Sequence, residues 1–206
     1  MSDASEHWET VWSTRDRDAL SWYQEDPSVS LDLIDACGMS PDDAIVDVGG
    51  GASVLAARLL TGGHRDVTVV DIASAALRAL DALLVAEIGP EHGAHHVCAD
   101  LLRWKPDRQY LLWHDRAVNH FLTADADRRR YAELVTQTVP TGGHLVLAAF
   151  APDGPDRCSG LPVHRCNPAD LAGDFDEFEL LDVVHEQHVT PWQSTQSFHY
   201  LSLRRR

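Results

Sequence analysis

Asp47-Val48-Gly49-Gly50-Gly51-Ala52-Ser53 joins a carboxylate to three consecutive glycines, directly after the apolar run at 44–48. Glycine lets a chain turn sharply and approach a ligand closely, so this segment reads as a binding turn. A nicotinamide fingerprint would place a third small residue where Val54 stands, which argues against that cofactor. Asp71 closes the β-branched run at 67–72, 20 residues after Gly51. A carboxylate there can accept hydrogen bonds from both hydroxyls of a ribose, or else cap the helix that follows. Further on, Trp113-His114-Asp115-Arg116-Ala117-Val118-Asn119-His120 gathers titratable groups in one short stretch. Imidazole titrates near neutral pH, so His114 or His120 can take a proton from an attacking amine or hydroxyl, with Asp115 the third candidate catalytic residue. The alternatives are an Asp115–Arg116 ion pair that orders the loop, and histidines that are structural or solvated among the 12 in the chain. Cys158, His164 and Cys166 lack the spacing of a zinc site, so no metal is expected.

The elements that position these residues follow from hydrophobic period. The run at 44–48 is a strand, and Ala52, Leu55, Ala56 and Leu59 fall on one face of a helix after it. A strand at 67–72 leads to a helix from Ser74 to Ile88, with Leu77, Leu80, Leu84 and Ile88 on one face. Strands are expected at 94–98, 110–113 and 144–150, with a helix from near Thr123 that turns Tyr131, Leu134 and Val135 inward. This alternation predicts a parallel sheet with helices on both faces and ligands at the carboxyl ends of its strands. Residues 178–189 and 195–203 leave no room for a helix between them and predict an antiparallel hairpin at the edge. Two helices, Ser5 to Arg15 and Ser30 to Cys37, precede the sheet and are expected over its ligand-binding edge. Residues 151–162 are rich in turn formers and long enough for a mobile loop on the substrate side.

The turn Asp47 to Ser53 resembles motif I of class I S-adenosylmethionine-dependent methyltransferases, with Ser53 at a position the family tolerates. The terminal hairpin resembles that family's seventh strand, and the resemblance runs from about Trp8 to Arg204. It implies an α/β Rossmann-like fold, a seven-stranded and mostly parallel sheet with an antiparallel C-terminal hairpin and helices on both faces. It further implies one domain over 1–206, a helical cap at 1–40 on a core at 41–206. S-adenosylmethionine would be the cofactor and S-adenosylhomocysteine the product. Asp47, Gly49, Gly50, Gly51 and Ser53 would cradle it, and Asp71 would hold the ribose. Asp100 would accept from the adenine amine between the apolar walls Ile72 and Leu101. Trp113 to Ala117 is similar to the W-x-D-R segment of thiopurine and other thiol or chalcogen methyltransferases, and to the acidic-basic dipeptide of elongation-factor lysine methyltransferases. Trp8, Trp12, Trp22, Tyr23 and Gln24 are similar to the aromatic lead-in of both groups, which closes over the cofactor beside Asp115.

Composition limits the partners. The chain carries 17 Lys plus Arg against 32 Asp plus Glu, a net charge of −15, which argues against a nucleic-acid substrate. No apolar stretch reaches membrane-spanning length and the first residues are acidic and polar, so a cytoplasmic protein without membrane partners is expected. Four cysteines without framework spacing are expected as free thiols. The combined expectation is a methyltransferase acting on a small-molecule S, N or O nucleophile. A protein lysine methyltransferase and a non-catalytic module that binds S-adenosylmethionine are the alternatives.

Overall fold

The computed structural model describes residues 3–206. Two helices, α1 (Asp3–Thr14) and α2 (Ser28–Ala36), precede β1 (Ile45–Val48), α3 (Leu55–Thr61), β2 (Val67–Asp71), α4 (Ser74–Glu87) and β3 (His95–Cys98). Then follow β4 (Leu112–Arg116), α5 (Asp125–Thr138), β5 (His144–Phe150), the short pair β6 (Arg157–Cys158) and β7 (Leu161–Pro162), α6 (Pro168–Gly173), β8 (Phe178–Val189) and β9 (Thr195–Arg205). Seven strands form one sheet in the order β3-β2-β1-β4-β5-β9-β8. The first five are parallel, whereas β9 runs antiparallel to β5 and pairs with β8 in a hairpin. This is the Rossmann-like sheet with a C-terminal hairpin.

The central strands are buried along their length because helices cover both faces, which is why 45–48 and 67–71 read as continuous apolar runs. Side chains alternate between two cores. Ile45, Val69, Leu112, Val146 and Tyr200 pack on the side of α2, α3 and α4, while Val46, Val70, Trp113, Leu147 and Tyr131 of α5 pack on the other. The order of the sheet reverses between β1 and β4, and this switch point opens a crevice at the carboxyl ends of the strands.

Four sequence expectations shift. Helix α3 begins at Leu55 and not at Ala52, because 49–54 are consumed by a turn with Gly49 at φ +62 and Gly51 at φ +49. Ile88 is 38% exposed since α4 ends one residue earlier. The loop at 151–162 folds into the β6–β7 pair, with Cys158 buried. Most consequential, the fourth strand is Leu112–Arg116 and not 110–113, so His114, Asp115 and Arg116 lie within the strand. Alternation then sends His114 and Arg116 to one face and Asp115 to the other.

Candidate functional site

A cavity of about 350 Å³ opens at the switch point, between α1 and the ends of β1, β2 and β4. Asp71, Ile72, Asp100 and Leu101 line it together with Trp8, Trp22, Phe121, Cys158, Gly49 and Arg116. The glycine turn fits only without side chains. A Cβ at Gly49 would collide with Val118, and one at Gly51 with the ring of Trp12. Gly50 likewise abuts the carboxylate of Asp47.

Asp71 sits at the end of β2 with 7% of its surface exposed. Its Oδ1 accepts from the Ala73 backbone N–H at 2.8 Å, so it ties down the first turn of α4 while lining the cavity. Burial pushes its carboxyl up to about 7 against the opposing effect of that hydrogen bond. Asp100 is half-buried, its Oδ1 accepting from Leu102 N–H at 3.1 Å.

Helix α1 covers the cavity. Trp8 meets Trp22 and Phe121 edge-on at ring separations of 5.6 and 5.2 Å, and Trp12 meets Trp22 at 6.2 Å. Glu9, which the sequence did not single out, fastens this cover to α4. Its carboxylate accepts from Ala75 N–H at 3.1 Å, Ser74 Oγ at 3.0 Å and Arg78 Nη2 at 3.2 Å, and these donors, the Ala75 N–H first, hold its pKa below the usual value. The contact lies at a helix N-terminus, where a negative charge is favoured.

A second cavity of about 60 Å³ shares Trp12, Trp22, Gly49 and Arg116 with the first. Arg17, Tyr23, Gln24, Ser30, Asp47, Ser53 and His114 line the remainder. His114 Nδ1 lies 2.7 Å from Asp47 Oδ1 and its Nε2 2.9 Å from Ser30 Oγ. Ser53 Oγ accepts from Leu55 N–H at 3.2 Å and so starts α3. Arg116 is held in place by Nε donating to Tyr200 Oη at 2.8 Å and Nη1 donating to the Trp22 carbonyl at 2.9 Å, with its guanidinium 4.8 Å above the ring of Phe198. Tyr200 in turn donates to Glu186 at 2.8 Å, and Gln24 donates to the other Glu186 oxygen at 3.0 Å. The hairpin, β4 and the segment at 22–24 are thereby joined.

Asp115 and His120 line neither cavity. The Asp115 carboxylate accepts from Val118 N–H at 2.8 Å, Asn119 N–H at 3.1 Å and Tyr131 Oη at 2.5 Å, and its burial raises the pKa to about 6. It closes the turn after β4 and bonds to Tyr131 of α5, so the alternative of an Asp115–Arg116 ion pair is not what orders this loop; Arg116 is 3.9 Å from Glu186 instead. His120 is wedged between Phe121 and Phe150 at ring separations of 4.4 and 4.5 Å, and neither nitrogen has a hydrogen-bond partner among the described residues. Burial, aided by the charge on Arg116, pushes it down to about 3, which keeps it neutral. Of the three candidate catalytic residues, the structure brings only His114 to a cavity wall. Among the described residues no group of three His, Cys, Asp or Glu is arranged to hold a metal ion, and all four cysteines are unpaired.

No protein-family model matches the sequence, and no curated protein matches it. Solved structures do resemble the fold. An S-adenosylmethionine-dependent methyltransferase from Anabaena variabilis has a TM-score of 0.75 at 14% identity, over 100% of this chain and 96% of its own. The N-methyltransferase NodS from Bradyrhizobium japonicum, in complex with S-adenosylhomocysteine, has a TM-score of 0.73 at 12% identity over 98% and 99% of the two chains. A 4+2 cyclase, SpnF, has a TM-score of 0.68 at 13% identity over 98% and 93%. The chain therefore has the class I methyltransferase fold, which also carries other chemistry, and function must be argued from the site.

Proposed function

We propose that the protein is an S-adenosylmethionine-dependent methyltransferase that transfers a methyl group to a small-molecule S, N or O nucleophile in the cytoplasm. One observation carries this reading: Asp71 and Asp100 stand on the wall of a single cavity that begins at a glycine turn, with Ile72 and Leu101 beside them. That set suits an adenosine. Asp71 offers acceptors to two ribose hydroxyls, Asp100 accepts from an exocyclic amine, and Ile72 and Leu101 flank the base. The second cavity adds Arg17, Arg116 and Asp47, groups of both signs for the charged end of the same molecule.

Bound there, S-adenosylmethionine supplies a methyl group activated by its sulfonium. The chain's part is to position and to exclude water. Trp8, Trp12 and Trp22 line the site, and Arg116, fixed by Tyr200 and the Trp22 carbonyl, lines both cavities. Asp115 has its oxygens engaged and His120 is walled off, so neither is placed to take a proton from an acceptor in the cavity. This favours an acceptor, such as a thiol, that loses its proton to solvent.

A protein lysine methyltransferase is the second reading. It is favoured by a groove of about 370 Å³ between residues 18–26 and the β8–β9 turn, lined by the acids Asp18, Glu25 and Asp26 and by no Lys or Arg. Methyl-labelled cofactor incubated with a panel of thiols, amines and hydroxyl compounds, and separately with a cell lysate, tests the choice. Labelled small products support the first reading and a labelled protein band supports the second. Cofactor binding without labelled product from either mixture would leave a binding module.

A further inference from the structure

Tyr23 and Gln24 line both the second cavity and the groove beside the β8–β9 turn, so these two residues are the wall that the two spaces have in common. The groove shares no lining residue with the first cavity. The wall belongs to residues 21–26, a stretch between α1 and α2 whose only backbone–backbone hydrogen bond among the described residues runs from Tyr23 N–H to the Leu20 carbonyl at 3.0 Å. Side chains supply the rest. Arg116 Nη1 on β4 donates to the Trp22 carbonyl at 2.9 Å, His188 Nε2 on β8 donates to the Ser21 carbonyl at 2.9 Å, and Gln24 Nε2 donates to Glu186 Oε1 on β8 at 3.0 Å. Glu186 is itself fixed, since its other oxygen accepts from Tyr200 Oη at 2.8 Å and lies 3.9 Å from Arg116. A ligand that spans both cavities lies against α1 and against this stretch, and one of them must move for it to enter or leave. Helix α1 is held more firmly, because Glu9 alone takes three hydrogen bonds from α4. A stretch with so few backbone hydrogen bonds opens at lower cost.

We propose that Tyr23 and Gln24 form a gate between the groove and the second cavity, held shut by the Gln24–Glu186 hydrogen bond, and that it opens each time the amino-acid end of the cofactor enters or that of the product leaves. This rests on the methyltransferase reading above, with the charged end of the cofactor in the second cavity. The clasp is the same whether the cavity is filled or empty, so weakening it lowers the cost of opening in both states. Association and dissociation then speed up by the same factor and affinity is unchanged. A residue that gripped the cofactor would behave differently, because its loss raises dissociation alone and costs affinity.

Stopped-flow fluorescence of the full chain follows binding through Trp8, Trp12 and Trp22, which line the cavities. The test compares S-adenosylhomocysteine with 5′-methylthioadenosine, which has the same adenosine and thioether sulfur but lacks the amino-acid end. In Gln24→Ala both rate constants for S-adenosylhomocysteine should rise about tenfold, the lower end of the scale for a hydrogen bond to a charged group, with Kd within about twofold. In Gln24→Lys, whose ammonium makes a stronger bond to Glu186, both should fall. The rates for 5′-methylthioadenosine should stay within about twofold in both variants, which also reports that each is folded. Faster dissociation of S-adenosylhomocysteine with unchanged association, equal acceleration of both compounds, or no change of rate in either variant would overturn the gate. Failure of the unaltered protein to bind either compound would overturn the methyltransferase reading beneath it.

Discussion

Replacing Asp71 with Asn should make the ligand-free protein more stable at alkaline pH while weakening its hold on cofactor. The carboxyl of Asp71 titrates near 7 in the folded chain because burial at the end of β2 disfavours its charge, whereas its ordinary value is 3.8. A raised folded pKa gives stability that is complete below pH 3.8 and lost as pH climbs to about 7. At roughly 1.4 kcal/mol per pH unit, the span from 3.8 to about 7 amounts to about 4 kcal/mol. Asn does not ionise, yet its side-chain oxygen can still accept from Ala73 N–H, as Asp71 Oδ1 does at 2.8 Å. Urea unfolding at pH 4 and at pH 8 isolates the effect. The variant should match or fall slightly below the parent at pH 4 and exceed it by up to about 4 kcal/mol at pH 8, roughly 10 °C in Tm for a chain of this size. A stability difference between the two proteins that is the same at both pH values would refute the claim that this wall carries a desolvated carboxylate. A variant that gains stability at pH 8 yet binds cofactor as tightly as before would refute the claim that the Asp71 carboxylate holds the cofactor.

Two further substitutions examine the surroundings. His120→Phe should be neutral or better at pH 8, because it removes two buried nitrogens without partners among the described residues. Its advantage should grow by roughly 1.4 kcal/mol per pH unit as pH falls below 6.5, since the parent must charge a histidine held near 3; urea titrations across pH would show it, and a flat difference would contradict the burial argument. Gly49→Ala should lower Tm through both its positive φ and a collision with Val118, and Gly49→Ala/Val118→Ala should recover the collision part only, leaving about 1–2 kcal/mol from φ. Simple additivity of the two losses in thermal unfolding would count against that contact.

Much of the fold was legible because its signals are local. The glycine run after 44–48, and Asp71 at the end of a β-branched run, each announce themselves within a few residues, and the structure places them on or beside one cavity. The fourth strand was misplaced for a physical reason. Its second half is His114-Asp115-Arg116, and polar residues in a central strand run against the apolar pattern used to find strands. That boundary error hid the alternation that separates Asp115 from its neighbours. Ser30, Arg17 and Glu9 gave no signal, because each gains its role from a partner far along the chain: Ser30 from His114, Arg17 from the carbonyl of Ala52, and Glu9 from the N-terminus of α4. His120 was singled out by its chemistry, and only tertiary packing reveals that Phe121 and Phe150 enclose it.

Calorimetric titration of the purified protein with S-adenosylmethionine, S-adenosylhomocysteine and NADH, alongside an Asp71→Ala variant, tests the central claim most directly. The expected result is micromolar binding of the first two and none of NADH, with the variant weakened by roughly 1–3 kcal/mol through loss of the ribose acceptors. Binding of NADH alone, or of none of the three, would contradict it.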